Sequence, residues 1–91
     1  MAQRRSTTVE VRNEKGLHLH VASLVAKAAS RFDAEVFLEK GDLRANAKSV
    51  MSLALLAAPR GTRLTLWAEG SDAAEAVETL ATLFEEGFGV P

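Results

Sequence analysis

The spacing of apolar residues changes period repeatedly along this chain, and that alternation constrains its fold more than any single motif. Between Thr7 and Arg12 the period is two, with Val9 and Val11 on one side and Thr8, Glu10 and Arg12 on the other. β-Branched residues at that spacing predict a half-buried strand. Asn13-Glu14-Lys15-Gly16 breaks the pattern with a polar turn. The apolar positions then become Val21, Leu24, Val25, Ala28, Ala29 and Phe32, which lie along one face of a helix and leave Lys27 and Arg31 off it. Period two returns over Glu35–Lys40, where Val36 and Leu38 share a side. Gly41-Asp42 suits a two-residue hairpin turn, and Leu43, Ala45 and Ala47 form the return strand.

The second half repeats the alternation. Ser49 suits a helix N-cap ahead of the short apolar segment Val50–Ala57, which ends at Pro59-Arg60-Gly61. Thr62–Ala68 reads as a strand with Leu64, Leu66 and Ala68 inward and Arg63, Thr65 and Trp67 outward. Ser71-Asp72 is expected to cap a last helix, with Glu75 placed as in a capping box. Its stripe is Ala73, Ala76, Val77, Leu80, Leu83 and Phe84, and Gly87 and Gly89 stop it. The predicted order is β-α-β-β-α-β-α. Each strand has one face to bury and each long helix one stripe to cover it. The fold class is therefore α+β, a four-stranded antiparallel sheet with three helices on one face.

A single domain over residues 1–91 is expected, with residues 1–6 as a flexible polar tail. A chain this short cannot enclose a deep cofactor cleft, so a surface function and no cofactor are expected. The net charge of −1 gives no overall attraction to nucleic acid, and the absence of cysteine removes disulfides, thiolate ligands and thiol nucleophiles. No membrane insertion is expected, since the apolar run Leu53–Pro59 is far short of a span. Arg4-Arg5 is followed by Ser6-Thr7-Thr8 and not by an apolar stretch, so no targeting peptide is read there.

One segment carries chemistry. His18 stands where a glycine turn meets the start of a helix. Unpaired N–H groups and the positive end of the helix dipole make such a place fit for an anion. An imidazole there can hold a phosphoryl group whose oxygens accept bonds from the N–H groups of Leu19, His20 and Val21. The bland alternative is a surface histidine in a loop. A metal is not expected: His18 and His20 are the only histidines, and two neutral ligands without a carboxylate or thiolate beside them make a weak site.

Gly16-Leu17-His18 before an alanine-rich helix resembles the active-site motif of the HPr family, the histidine phosphocarriers of the phosphoenolpyruvate-sugar phosphotransferase system. Ala47-Lys48-Ser49-Val50-Met51 is similar to that family's regulatory serine segment. Gly61-Thr62 leading to Ala68-Glu69-Gly70-Ser71-Asp72-Ala73 is similar to its last strand and last helix entry. The resemblance spans roughly Thr8 to Glu86. It implies an open-faced β-sandwich and a cytoplasmic phosphocarrier. Enzyme I would phosphorylate His18, which would pass the group to a sugar-specific acceptor or regulatory target. Ser49 would be the site of a regulatory serine kinase. Val50, Met51 and Ala54 would form the docking patch, with Lys27 as a basic contact. The chain would not be a self-sufficient enzyme.

The match departs from the family pattern within the site. His20 stands where the resemblance implies arginine, Val21 where it implies proline, and Leu19 where it implies a small residue. Arginine carries a fixed charge and two parallel donors, so phosphoryl transfer is expected to be slower or altered. Val21 returns an N–H that proline lacks. A protonated His20 could compensate once His18 carries a dianion. Two rival functions stay open: a regulatory binding module of the same fold with impaired histidine chemistry, and a nucleic-acid-binding sheet using Trp67, Arg12 and Arg63.

Overall fold

The computed structural model describes residues 3–91. Strand β1 spans Gln3–Glu10, helix α1 Leu19–Ala29, β2 Glu35–Lys40, β3 Leu43–Asn46, α2 Val50–Leu55, β4 Arg63–Gly70 and α3 Ala73–Glu85. A short 3₁₀ turn over Gly87–Gly89 follows. The sheet runs β1-β4-β2-β3, and every neighbouring pair is antiparallel. This is the open-faced arrangement expected from the alternating periods. Among the described residues, no helix is long and apolar enough to cross a membrane.

The core lies between the sheet's inner face and the helices. Leu38, Leu53, Leu64, Leu66 and Leu80 are fully buried there, with Val11, Val21, Val25 and Val36. The α1 stripe is wider than the sequence pattern implies: Ala22 and Ala26 are also buried, whereas Leu24 is only half-buried. Alanine lets the helix backbone come close to its neighbours, so a small side chain can be enclosed where a larger one stays at the margin. Ala73 and Ala76 do the same for α3.

Three expectations are corrected. The reading of residues 1–6 as a tail fails over Gln3–Ser6, which belong to β1 and lie opposite Gly70 to Trp67 of β4; Met1 and Ala2 lie outside the described residues. Polar side chains do not prevent pairing, because the ladder is made by backbone groups. Trp67 does point to the outer face, but it is buried rather than free. It stacks on Phe37 with ring centroids 4.7 Å apart, and the guanidiniums of Arg4 and Arg44 lie 4.6 and 4.2 Å from its ring. The outward face thus closes over its own aromatic pair through cation–π contacts. Leu43 belongs to β3 as assigned, and is exposed at the sheet edge.

The third correction concerns Asp72. It occupies the N-cap position of α3, yet its side chain makes no capping bond. Its carboxylate instead accepts from the backbone N–H groups of Asp33 at 2.9 Å and Ala34 at 2.8 Å. Those bonds tie the loop after α1 to the start of α3. The close approach also explains Gly70, whose φ is +151° and where a β-carbon would sit 2.7 Å from the Ala34 Cα. Lys48 works on the same corner, donating to the Phe32 carbonyl at 2.6 Å.

The N–H bond from Asp33, with that from Ala34 and the nearby Lys48 charge, holds the Asp72 pKa below its ordinary 3.8 against a smaller opposing effect of desolvation. A depressed folded-state pKa stabilises the fold fully above pH 3.8 and ceases to do so as pH falls through the folded value. Asp72→Ala is therefore expected to lower the urea midpoint at pH 7. It should also flatten the loss of stability below pH 3.8. Urea titrations of both proteins across that range check this.

Candidate functional site

The segment Asn13–His20 is held from three directions. The Gly16 N–H donates to the Asn13 carbonyl at 2.9 Å, closing the turn. The Leu17 N–H donates to the Ala58 carbonyl at 2.8 Å, seating the turn on the α2–β4 loop. Asn13, the buried polar side chain of this region, donates through Nδ2 to the carbonyls of Gly87 at 2.9 Å and Val90 at 3.0 Å. Leaving the buried Asn13 amide without partners would cost roughly 1–3 kcal/mol, so the chain after α3 braces the turn before α1. That stretch can curl back because Gly87, Phe88 and Gly89 all take positive φ.

Gly16 has φ +72°, and a β-carbon there would overlap the Ala58 carbonyl and sit 2.8 Å from the Pro59 Cα. Only glycine fits both the dihedral and the space. Leu17 then buries its side chain, and His18 follows in extended conformation at φ −76°, ψ 175° as the N-cap of α1. Its side chain makes no capping bond, so the half-buried imidazole is not committed to the helix.

The helical ladder begins when the Ala22 N–H reaches the His18 carbonyl at 2.8 Å. The N–H groups of Leu19, His20 and Val21 precede that bond and have no carbonyl within the helix to meet. No acidic side chain occupies the first turn, so nothing offsets the positive end of the dipole. The site can therefore accept an anion at His18.

His18 also lines a shallow depression of about 400 Å³, shared with Lys15, Leu17, Leu19, Ala54, Ala57, Ala58 and Pro59. The structure thus brings His18, Leu19 and Ala54 to one place. His20 lies beside them on the exposed side of α1, its ring 6.3 Å from that of His18 and inclined by 24°. Val21 contributes only backbone, because its side chain is buried. Lys27 is seven residues, or about two turns and 10 Å, beyond His20 on the same helix face.

Ser49 caps α2, with its Oγ accepting from the Ser52 N–H at 3.2 Å. Met51 is strongly exposed, whereas Val50 and Ala54 are half-buried. Two large apolar side chains were not legible as part of this surface, Leu19 at 63% and Leu55 at 77% exposure. In sequence Leu55 reads as a member of a short apolar helix, and only the side on which α2 packs reveals that Leu53 is buried and Leu55 is not. Lys15 was also missed. Its position next to the turn glycine and three residues before His18 was the available signal.

Another depression of about 400 Å³ lies between β1, β4 and α3, lined among others by Arg12, Arg63, Glu10 and Glu85. Cations and carboxylates offset one another there, and it contains no histidine. Arg12 and Arg63 consequently do not join Trp67, which is enclosed by Arg4 and Arg44.

Residues 5–86 match the family described as PTS HPr component, phosphorylation site. The chain is 47% identical over 78 residues to the HPr-like protein Crh of Bacillus subtilis, covering 86% of this chain and 92% of that one. Crh is also described as the catabolite repression HPr. This chain is also 40% identical over 82 residues to the phosphocarrier protein HPr of Neisseria meningitidis, covering 90% of this chain and 92% of that one. Among solved structures, HPr-C-His from Thermoanaerobacter tengcongensis superposes with a TM-score of 0.90 at 37% identity, covering 96% of this chain and 98% of that one.

Gly16→Ala tests how the site is seated. Gly41→Ala is the control, because φ there is +57° but an added carbon meets nothing within 4 Å. The control is expected to lose about 1–2 kcal/mol of stability from its backbone conformation alone. Gly16→Ala should lose more and should shift the His18 ring resonances, as read by urea titration and NMR.

Proposed function

The chain belongs to the HPr family of phosphotransferase-system phosphocarriers, and from that premise we propose that His18 accepts a phosphoryl group from enzyme I and passes it to a sugar-specific acceptor or regulatory target. The observation that carries the reading is the placement of an uncommitted imidazole at the N-cap of α1, ahead of three N–H groups outside the helical ladder. In the step itself, a ring-nitrogen lone pair forms a bond to phosphorus. The bond between phosphorus and the donor breaks, and its electron pair stays with the donor. The N–H groups of Leu19, His20 and Val21 offer bonds to the phosphoryl oxygens without rearranging, since they are fixed by the helix. The loose character of such transfers puts most of the work on positioning and charge.

The partners would supply the rest of the site. The exposed Leu19, Met51 and Leu55, with Ala54, would form an apolar margin on which enzyme I and an acceptor dock, with Val50 at its edge and Lys27 as a peripheral cation. Ser49 is a candidate for a serine kinase. A phosphate there would replace a neutral cap with a dianion next to the docking margin, and repulsion of an acidic partner would follow. A cytoplasmic location accords with this role.

A second reading, an HPr-like regulatory module with impaired histidine transfer, is favoured by the bulky exposed Leu19, by His20 and Val21, and by the 47% identity to Crh. Intact-mass analysis after incubation with phosphoenolpyruvate and cognate enzyme I separates the two. The carrier reading expects an acid-labile phosphoryl adduct on the wild type and none on His18→Ala. No adduct, with enzyme I proven competent on another HPr, would leave the regulatory reading. His20→Arg is expected to accelerate transfer to His18, as measured by the rate of adduct formation. Equal rates would show that a fixed charge at position 20 does not limit transfer.

A further inference from the structure

We propose that Lys15 supplies the fixed positive charge that a phosphoryl group on His18 requires. The inference rests on the carrier reading and deepens it. Of the residues lining the depression beside His18, Lys15 is the one with a charged side chain, and the others are apolar apart from His18 itself. No carboxylate lines that depression to compete for the ammonium. Of the other lysines, Lys40 donates to the carbonyls of Leu56 and Ala57 and Lys48 to that of Phe32, while Lys27 stands in the last turn of α1, away from the depression.

The backbone under Lys15 is fixed. It sits inside the turn closed by Gly16 and Asn13, which is anchored to Ala58 on one side and to Gly87 and Val90 on the other. The residue is exposed, so its ammonium can turn toward the depression without breaking a buried contact. Three donors on a compact charge suit a phosphoryl group approached from the side opposite the helix N–H groups. His18 would then hold its cargo between backbone donors on α1 and an ammonium on the preceding turn. His20, lacking a permanent charge, would not have to carry that role. As transfer begins, charge spread over the phosphoryl oxygens is what Lys15 stabilises, and it remains a positioning cation that forms no bond to phosphorus.

The experiment compares wild type, Lys15→Met, Lys15→Arg and His18→Ala. Phosphoramidate serves as a small phosphoryl donor that needs no docking, and phosphorylated enzyme I as the second donor, with adducts followed by phosphorus NMR and intact mass. Circular dichroism checks that each variant is folded. Lys15→Met is expected to react roughly tenfold more slowly than wild type with both donors at low ionic strength, and the gap should narrow as salt screens the charge. Lys15→Arg should restore most of the rate, which a loss of structure would not permit. Wild-type rates for Lys15→Met with phosphoramidate would overturn the proposal. If that variant slowed only with enzyme I, Lys15 would be a docking contact and the proposal would be wrong. Failure of wild type to gain an adduct on His18 from either donor would instead overturn the carrier reading.

Discussion

A sheet with a single apolar face must be covered on that side and nowhere else, and this requirement organises the rest of the molecule. Leu38, Leu64, Leu66 and Ala68 line the inner face with no measurable or almost no exposure. α1 and α3 are drawn onto it by their apolar stripes, and α2 adds Leu53. The helices have to begin at the rim of the sheet, where the chain leaves a strand and turns. His18 stands at one such rim position, so its exposure and its place at a helix start have a common origin.

Short-range contacts then convert that rough placement into a defined one. The glycine turn rests on the Ala58 carbonyl, and the buried Asn13 amide ties it to the end of the chain. The helix after the turn has free N–H groups in front and no acid in its first turn. The chemistry proposed at His18 would therefore rely on backbone that is already held. The surrounding depression is shallow and open, which suits the proposed hand-over of a group between proteins.

Periodicity made the element order and the inner face readable, because both depend on which residues meet the core. Val36 and Leu38 in β2, and Leu64, Leu66 and Ala68 in β4, lie where alternation puts them. The Ser49 cap was equally readable, since a cap is a contact over three residues. Features resting on contacts distant in sequence were not. Gln3–Ser6 look like a tail until β4 is placed beside them. Asp72 is diverted from capping its own helix by N–H groups almost forty residues earlier. In the site, His18 and the N–H groups beside it were legible from the motif and the helix start. Lys15, Leu19 and Leu55 acquire their setting only when α1 and α2 are brought together.

The enclosure of Trp67 has an optical consequence. It is the one tryptophan of the chain, stacked on Phe37 under Arg4 and Arg44 on the side of the sheet away from the helices. Excited at long wavelength, the protein emits from that spot alone. The emission follows the joining of β1 to β4 and of β4 to β2, because Arg4, Trp67 and Phe37 come from three different strands. It is screened by the whole sheet from events at α1. The chain thus carries an intrinsic lamp for its assembly, set on the outer face and apart from the site proposed at His18.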